Sequence, residues 1–264
     1  MLERLHKAEL EIMCEFDRIC RKHHIPYFLD SGTALGAVRH RGFIPWDDDV
    51  DIGMLRSDYE RFLLVAKEEL SPRFFLQNKE SEPAYYKYNA KLRMENTYFP
   101  EGSLTDKLQH RGIFIDIYPF DYAGHDEKEA QRRIVRSRRM LRLLRFRQTG
   151  SERSGWKKRI AYALCSVIPE RYFEKKYCAF CSNPAYDGAA FITCFSYRML
   201  QSKMLCFPTE KMLPVRDTAF EDQLFCLMHD PDDYLTRMYG DYMQLPAEED
   251  RVCHLAGEVR FSDR

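Results

Sequence analysis

The residues best suited to chemistry in this 264-residue chain are the aspartates of Trp46-Asp-Asp-Asp-Val-Asp-Ile-Gly53. In an extended strand residues i and i+2 share a face, so Asp49 and Asp51 are predicted to project together while Val50 and Ile52 point into the core. At a rise of about 3.3–3.4 Å per residue the two carboxylates start about 7 Å apart, a separation that suits a divalent cation. A third carboxylate, Asp116, stands in the apolar run Ile113-Phe-Ile-Asp-Ile-Tyr118. A charge there is costly unless it is paired or bound to metal. Three such oxygen donors suit Mg²⁺ (or Mn²⁺), hard ions that retain waters for substrate phosphates, and the chemistry they serve is phosphoryl transfer. Spacing alone also leaves open a plain acidic turn at 47–49 followed by a strand-edge charge.

A phosphate site is predicted upstream. Ser31, Gly32 and Thr33 follow the apolar run Tyr27-Phe28-Leu29 and open a short helix expected over 34–39. Backbone N–H groups at a helix N-terminus, approached over a glycine, form an anion site. Arg39 lies between this turn and the aspartates, where it either neutralises a diphosphate or meets the helix dipole as a helix-end charge. Lys91 and Arg93 alternate along an expected strand, and either reach a nucleotide or form a solvated face.

The elements that must position these groups follow from periodicity. Leu2, Leu5, Leu10, Met13, Phe16 and Cys20 give a helical period over 2–23, ended by Pro26. A second long helix is expected over 57–70, opened by a capping box of Ser57 and Glu60. Strands are expected at 27–29, 74–77, 85–92, 97–99, 113–118 and 191–195. A strongly basic helix is expected over 126–148, then a linker at 150–155 and helices near 156–167 and 171–181. Residues 204–220 read as irregular or hairpin structure, 231–239 as a helix stopped by Gly240, and 247–255 as another helix.

The 41 basic and 41 acidic side chains cancel, so no global preference for a polyanion follows, and nucleic acid is not an expected partner. The distribution is uneven. Residues 128–159 hold thirteen Lys or Arg against Glu129 and Glu152, whereas residues 217–250 hold ten acids and only Arg237. The arginines at 132–147 form a solvated helix face or touch anionic lipid at a membrane surface. Nine scattered cysteines, with no apolar leader, imply reduced thiols and a cytoplasmic setting. Cys178 and Cys181 have the spacing of half a zinc site.

The stretch Asp30-Ser-Gly-Thr-Ala-Leu-Gly-Ala-Val-Arg-His-Arg-Gly-Phe-Ile-Pro-Trp-Asp-Asp-Asp-Val-Asp-Ile-Gly53 resembles the defining motif of the LicD family, phosphocholine transferases related to the catalytic domain of fukutin. Lys91-Leu-Arg-Met-Glu-Asn-Thr97, Gly112-Ile-Phe-Ile-Asp-Ile-Tyr-Pro-Phe-Asp121 and Tyr239-Gly-Asp-Tyr-Met-Gln-Leu-Pro246 agree in order, with His254 downstream. The resemblance implies an α+β fold: a nucleotidyltransferase-like mixed sheet flanked by helices, with further helical segments in the second half. It implies one transferase domain over 1–264, with a core over 1–125, a basic helical insertion over 126–200 and a completing segment over 201–264. It also implies CDP-choline as donor and a teichoic acid or lipopolysaccharide precursor as acceptor. Related members transfer other phospho-alcohols, such as ribitol phosphate, and a non-catalytic nucleotide- or glycan-binding module is the remaining alternative.

Carried over residue by residue, the resemblance makes Asp49, Asp51 and Asp116 the metal ligands, with Asp47 a further participant and Asp48 solvent-facing or supporting. Asp116 doubles as a candidate general base. Ser31, Gly32 and Thr33 face the donor phosphates, and His254 falls at a family spacing. A quaternary ammonium has no N–H, so its recognition rests on aromatic faces. The candidates are Trp46, Tyr85, Tyr86, Tyr88, Tyr98 and Phe99.

Overall fold

The computed structural model describes residues 1–101, 108–149, 167–197, 205–251, 253 and 257–261. The expected linker at 150–155, nearly all of the helix at 156–167, and His254 lie outside these residues. The chain forms two compact units, Met1–Pro119 with Glu210–Arg264, and Phe120–Thr209.

In the first unit the long helix α1 (Leu2–Lys22) buries Leu5, Ile12, Met13, Phe16 and Ile19, as its periodicity requires. Strand β1 (Phe28–Leu29) leads into α2 (Ser31–Arg39), then come β2 (Asp51–Leu55), α3 (Arg56–Glu69), β3 (Phe74–Gln77), β4 (Ala90–Met94) and β5 (Phe114–Gly124). The sheet order is β1-β2-β5-β4-β3. β1 pairs with β2, β3 with β4, and β4 with β5 in antiparallel register. The result is a mixed sheet flanked by helices, the α+β nucleotidyltransferase-like architecture. Its centre is apolar: Val50, Ile52, Met54, Leu92, Ile115 and Ile117 are all buried. Each such side chain contributes about 1.5–3 kcal/mol when fully buried.

Several boundaries differ from the sequence reading. Helix α2 begins at Ser31 rather than at 34, because Asp30 serves as N-cap and its carboxylate accepts the Ser31 N–H. Strand β2 begins at Asp51, so Asp49 lies in the preceding connection and not on the strand. Helix α3 begins after Leu55 with no side-chain cap bond, so the Ser57–Glu60 capping box does not form. Strand β4 starts only at Ala90, and Tyr98 makes a single bridge to Arg260 in place of a strand at 97–99.

The unit is completed by a hairpin and a helix. β8 (Arg216–Phe220) and β9 (Gln223–Leu227) pair antiparallel, and α7 (Pro231–Tyr239) ends at Gly240, whose φ of 69° favours glycine. Its short lead-in α6 spans Thr209–Met212. Of the helix expected over 247–255, the described part is a 3₁₀ turn, Glu248–Asp250.

In the second unit the end of β5 pairs with β6 (Phe191–Thr193), and β6 with β7 (Phe207–Pro208). The basic helix is α4 (Glu127–Thr149), and α5 spans Glu170–Cys181. Arg132, Arg136, Arg139, Arg142 and Arg145 are exposed. Arg133 departs from the expected solvated face: it is buried and donates to the carbonyls of Tyr122 (2.8 Å) and Phe180 (2.7 Å). Among the described residues no helix is long and apolar enough to cross a membrane.

Candidate active site

The N-terminus of α2 and the connection into β2 are tied together around Asp51. The Asp51 N–H donates to Thr33 Oγ1 at 2.9 Å, and the Asp30 N–H donates to the Asp51 carbonyl at 2.9 Å. One strand further in, the Asp116 N–H donates to the Val50 carbonyl at 2.8 Å. Asp116 on β5 thus lies beside the backbone that joins Asp49 to Asp51. Helix α7 closes the other side, where the Tyr234 hydroxyl donates to Asp30 and accepts the Ser31 N–H at 3.1 Å. Ser31 has a left-handed φ of 47°, a costly backbone for a non-glycine residue that this pair of bonds maintains.

A cleft of about 450 Å³ opens here, lined among the described residues by Ser31, Gly32, Arg39, Trp46, Asp47, Asp49, Asp51, Tyr239, Asp241, Tyr242, Gln244 and Asp250. Its electrostatics are dominated by like charge. Burial raises the Asp51 carboxyl well above the usual range, and Asp49, Asp116, Asp30 and Asp47 push it further in the same direction. Glu9, buried on α1, is raised first by burial and then by Asp49, Asp47 and Asp48, and its Oε2 makes no hydrogen bond among the described residues. Gly32 gives Asp47 room: a Cβ there would stand 2.7 Å from Asp47 Oδ2 and push that side chain aside.

Arg39 reaches across the cleft and donates to the Tyr242 carbonyl at 2.8 Å and to His40 Nε2 at 3.0 Å. Among the described residues no carboxylate forms an ion pair with it. Burial lowers its pKa, consistent with a cation held away from compensating acids.

Other sequence-predicted residues fall elsewhere. Thr33 is buried, with its hydroxyl on the Asp51 N–H. Asp48 is buried, which corrects its solvent-facing reading. Lys91 and Arg93 are buried on β4, correcting the solvated-face alternative, and neither lines the cleft. Lys91 Nζ lies 2.9 Å from Asp116 Oδ2 and 2.9 Å from Glu101 Oε1. Asn89 donates to Asp116 Oδ1. Both Asp116 oxygens therefore have partners, and the residue is 5% exposed, an arrangement unlike a base open to an acceptor hydroxyl. Of the six aromatic candidates Trp46 lines the cleft; Tyr85 and Phe99 are core residues.

Among the described residues no three His, Cys, Asp or Glu side chains converge closely enough to hold a metal ion as they stand. Asp116 is turned to Lys91 and Asn89, while Asp47, Asp49 and Asp51 face the cleft. The donor set nonetheless fits a hard cation: oxygen ligands, one of them with a carboxyl raised by burial and by the acids around it. Cys178 is exposed and Cys181 buried on α5, and no such group of three includes them.

Sequence reasoning gave no role to Glu9, Tyr239, Asp241, Tyr242, Gln244 or Asp250. The signals were present. Glu9 sits four residues after Leu5 and three before Ile12, on the apolar stripe of α1, and residues 239–246 belong to a stretch that already matched the family motif.

Cleft aspartates beside a helix N-terminus, on a nucleotidyltransferase-like sheet, are an arrangement that suits a transferase of activated phosphate donors. Residues 24–140 match the family described as LicD/FKTN/FKRP, nucleotidyltransferase domain. The chain is 30% identical over 259 residues to the lipopolysaccharide cholinephosphotransferase LicD of Haemophilus influenzae, covering 93% of this chain and 92% of that one. It therefore belongs to the LicD family, a family of transferases. It is also 42% identical over 45 residues to the mouse ribitol-5-phosphate transferase FKTN, 17% of this chain and 10% of that one. An uncharacterized protein of Rickettsia typhi is 27% identical over 135 residues, 44% of this chain and 43% of its own length.

Proposed function

We propose that this protein transfers phosphocholine from CDP-choline to a cell-surface glycan precursor of the lipopolysaccharide or teichoic acid kind, using Mg²⁺ at the carboxylate cleft. The observation that carries the reading is the match to a lipopolysaccharide cholinephosphotransferase along nearly the whole of both chains. The cleft supports it by combining an acidic wall, an arginine with no carboxylate partner among the described residues, a helix N-terminus and an aromatic face.

In this reading Asp49 and Asp51 would hold the ion from the cleft wall, with Asp47 as a further oxygen donor; Asp116 would join as the third carboxylate only by turning from Lys91 and Asn89. When bound, the ion neutralises charge developing on the transferred group. The α2 N-terminus at Ser31 and Gly32 presents N–H groups to the donor phosphates. Arg39 pairs with the diphosphate. The acceptor hydroxyl oxygen forms the new bond to phosphorus as the bond to CMP breaks, and CMP leaves with the electron pair. The hydroxyl proton passes to a cleft carboxylate or to water. The reaction belongs on the cytoplasmic side, with the exposed arginines of α4 toward anionic lipid.

The short match to a ribitol-5-phosphate transferase supports a second head group, ribitol phosphate. A panel of CDP-alcohols assayed for CMP release with Mg²⁺ separates the two. CDP-choline should be consumed at least tenfold faster than CDP-ribitol, and should raise the melting temperature more. The reverse order would assign ribitol phosphate.

Arg39→Gln gives a second test. Loss of a charge-assisted contact to the diphosphate should raise the donor KM about 10- to 100-fold. An unchanged KM would confine Arg39 to tethering the Tyr242 carbonyl.

A further inference from the structure

Trp46 already carries a cation. The Arg251 guanidinium carbon lies 4.5 Å from the centre of the indole ring, and the His40 ring meets the same indole edge-on at 6.0 Å. Both Trp46 and Asp250, the residue before Arg251, line the cleft that holds Asp49 and Asp51.

The arginine is weakly held. Its Nε is buried with no hydrogen-bond partner among the described residues. Among the described residues its ion pair is a 3.7 Å contact to Glu248, whose side chain is 88% exposed, and such exposed pairs add little. A buried donor without a partner is a standing cost, relieved if the guanidinium swings into water. The indole face loses nothing if another cation takes the place. A quaternary ammonium is well suited, because it has no N–H to satisfy and interacts with the ring by charge and apolar contact.

We infer that Arg251 is a specificity-determining residue: an internal cation that occupies the head-group subsite on Trp46 and is displaced by a donor carrying a quaternary ammonium. This rests on the proposed phosphocholine reading and deepens it. A neutral polyol such as ribitol cannot replace a cation on an indole face, so Arg251 excludes neutral head groups while costing a cationic one only the difference between two cation–π contacts.

The test uses the full chain with Trp156→Phe, so that Trp46 is the remaining tryptophan. Choline chloride binding is followed by tryptophan fluorescence, and KM is measured for CDP-choline and CDP-ribitol. Arg251→Gln should lower the choline Kd and the CDP-choline KM by roughly threefold to tenfold, the scale of one cation–π contact. Arg251→Lys, which keeps a cation, should stay within twofold of the parent. Unchanged choline binding in Arg251→Gln would overturn the inference. So would a KM that rises for both donors, since Arg251 would then be holding the shared diphosphate. The choline titration needs no turnover, so it judges Arg251 even if the donor panel returns a different head group.

Discussion

Asp51→Asn is expected to abolish transfer while making the protein more stable. Asp51 faces the cleft, its backbone is fixed by Thr33 and Asp30, and its carboxylate stands among Asp49, Asp116, Asp30 and Asp47. If it holds the ion that neutralises the transferred group, its loss removes several kcal/mol of transition-state stabilisation, about a thousandfold or more in kcat. The fold has no use for that charge. A carboxyl raised in the native state binds its proton more tightly than in the unfolded chain, so its favourable contribution is present in acid and is lost as pH rises. Asparagine removes the penalty. The variant should therefore melt above the parent at neutral pH, by roughly 2–4 °C for each kcal/mol relieved. The gap should close below the ordinary carboxylate range, where Asp51 is protonated in both states. Added Mg²⁺ should raise the melting temperature of the parent and leave the variant unmoved. Turnover near the parental rate, or a variant less stable than the parent at pH 7, would remove Asp51 from the site.

What the sequence made legible was local. The stripe on α1, the apolar runs of β2 and β5, and the proline and glycine bounding α7 each depend on residues a few positions apart, and each appears in the structure; the alternation expected of Asp49 and Asp51 does not, because β2 begins only at Asp51. The aspartates were legible for the same reason, and through the length of the motif around them. What closes over long distances was not. Lys91 lies opposite Asp116 only because of the β4–β5 register, which no spacing within either strand specifies. Glu101 comes from a connection outside any strand. Arg251 comes from a turn two hundred residues beyond the Trp46 it covers. Glu9 was hidden differently: it obeys the helical period but has the wrong polarity for its stripe, and it was passed over as one charge among many.

Glu101→Gln should be the most destabilising single change near the site, although Glu101 does not line the cleft. Two cations, Lys91 and Arg93, are buried side by side on β4 with side chains 1% exposed. They lie against the ring of Phe114, with Lys91 Nζ 3.1 Å from its centre and the Arg93 guanidinium carbon 4.9 Å. Of these two cations Asp116 pairs with Lys91. Glu101 answers both, with Oε1 2.9 Å from Lys91 Nζ and Oε2 accepting from Arg93, while Lys87 Nζ stands 3.6 Å away. Burial pushes the Glu101 carboxyl up, but Lys91, Arg93 and Lys87 outweigh it and hold the group well below the usual range. Burial also draws the Lys91 ammonium down to about 8, against the pull of Asp116. Glutamine keeps the shape and removes the charge, leaving Arg93, among the described residues, with the neutral Gln77 and Gly112 oxygens.

Breaking a buried pair from one side costs about 3–5 kcal/mol, which corresponds to roughly 6–20 °C in melting temperature. A carboxyl depressed in the native state contributes stability above its unfolded pKa and loses it as pH falls through the folded value, so the deficit should be full at neutral pH and shrink in strong acid. Below the melting temperature the donor KM should stay within a few-fold of the parent, because Asp49, Asp51 and Arg39 are untouched. Arg93→Met in the Glu101→Gln background should cost less than the two single changes added together, since the second change removes the charge that the first left unanswered. Additive losses would mean that Glu101 and Arg93 act independently, and that the pair does not carry the support beneath Asp116.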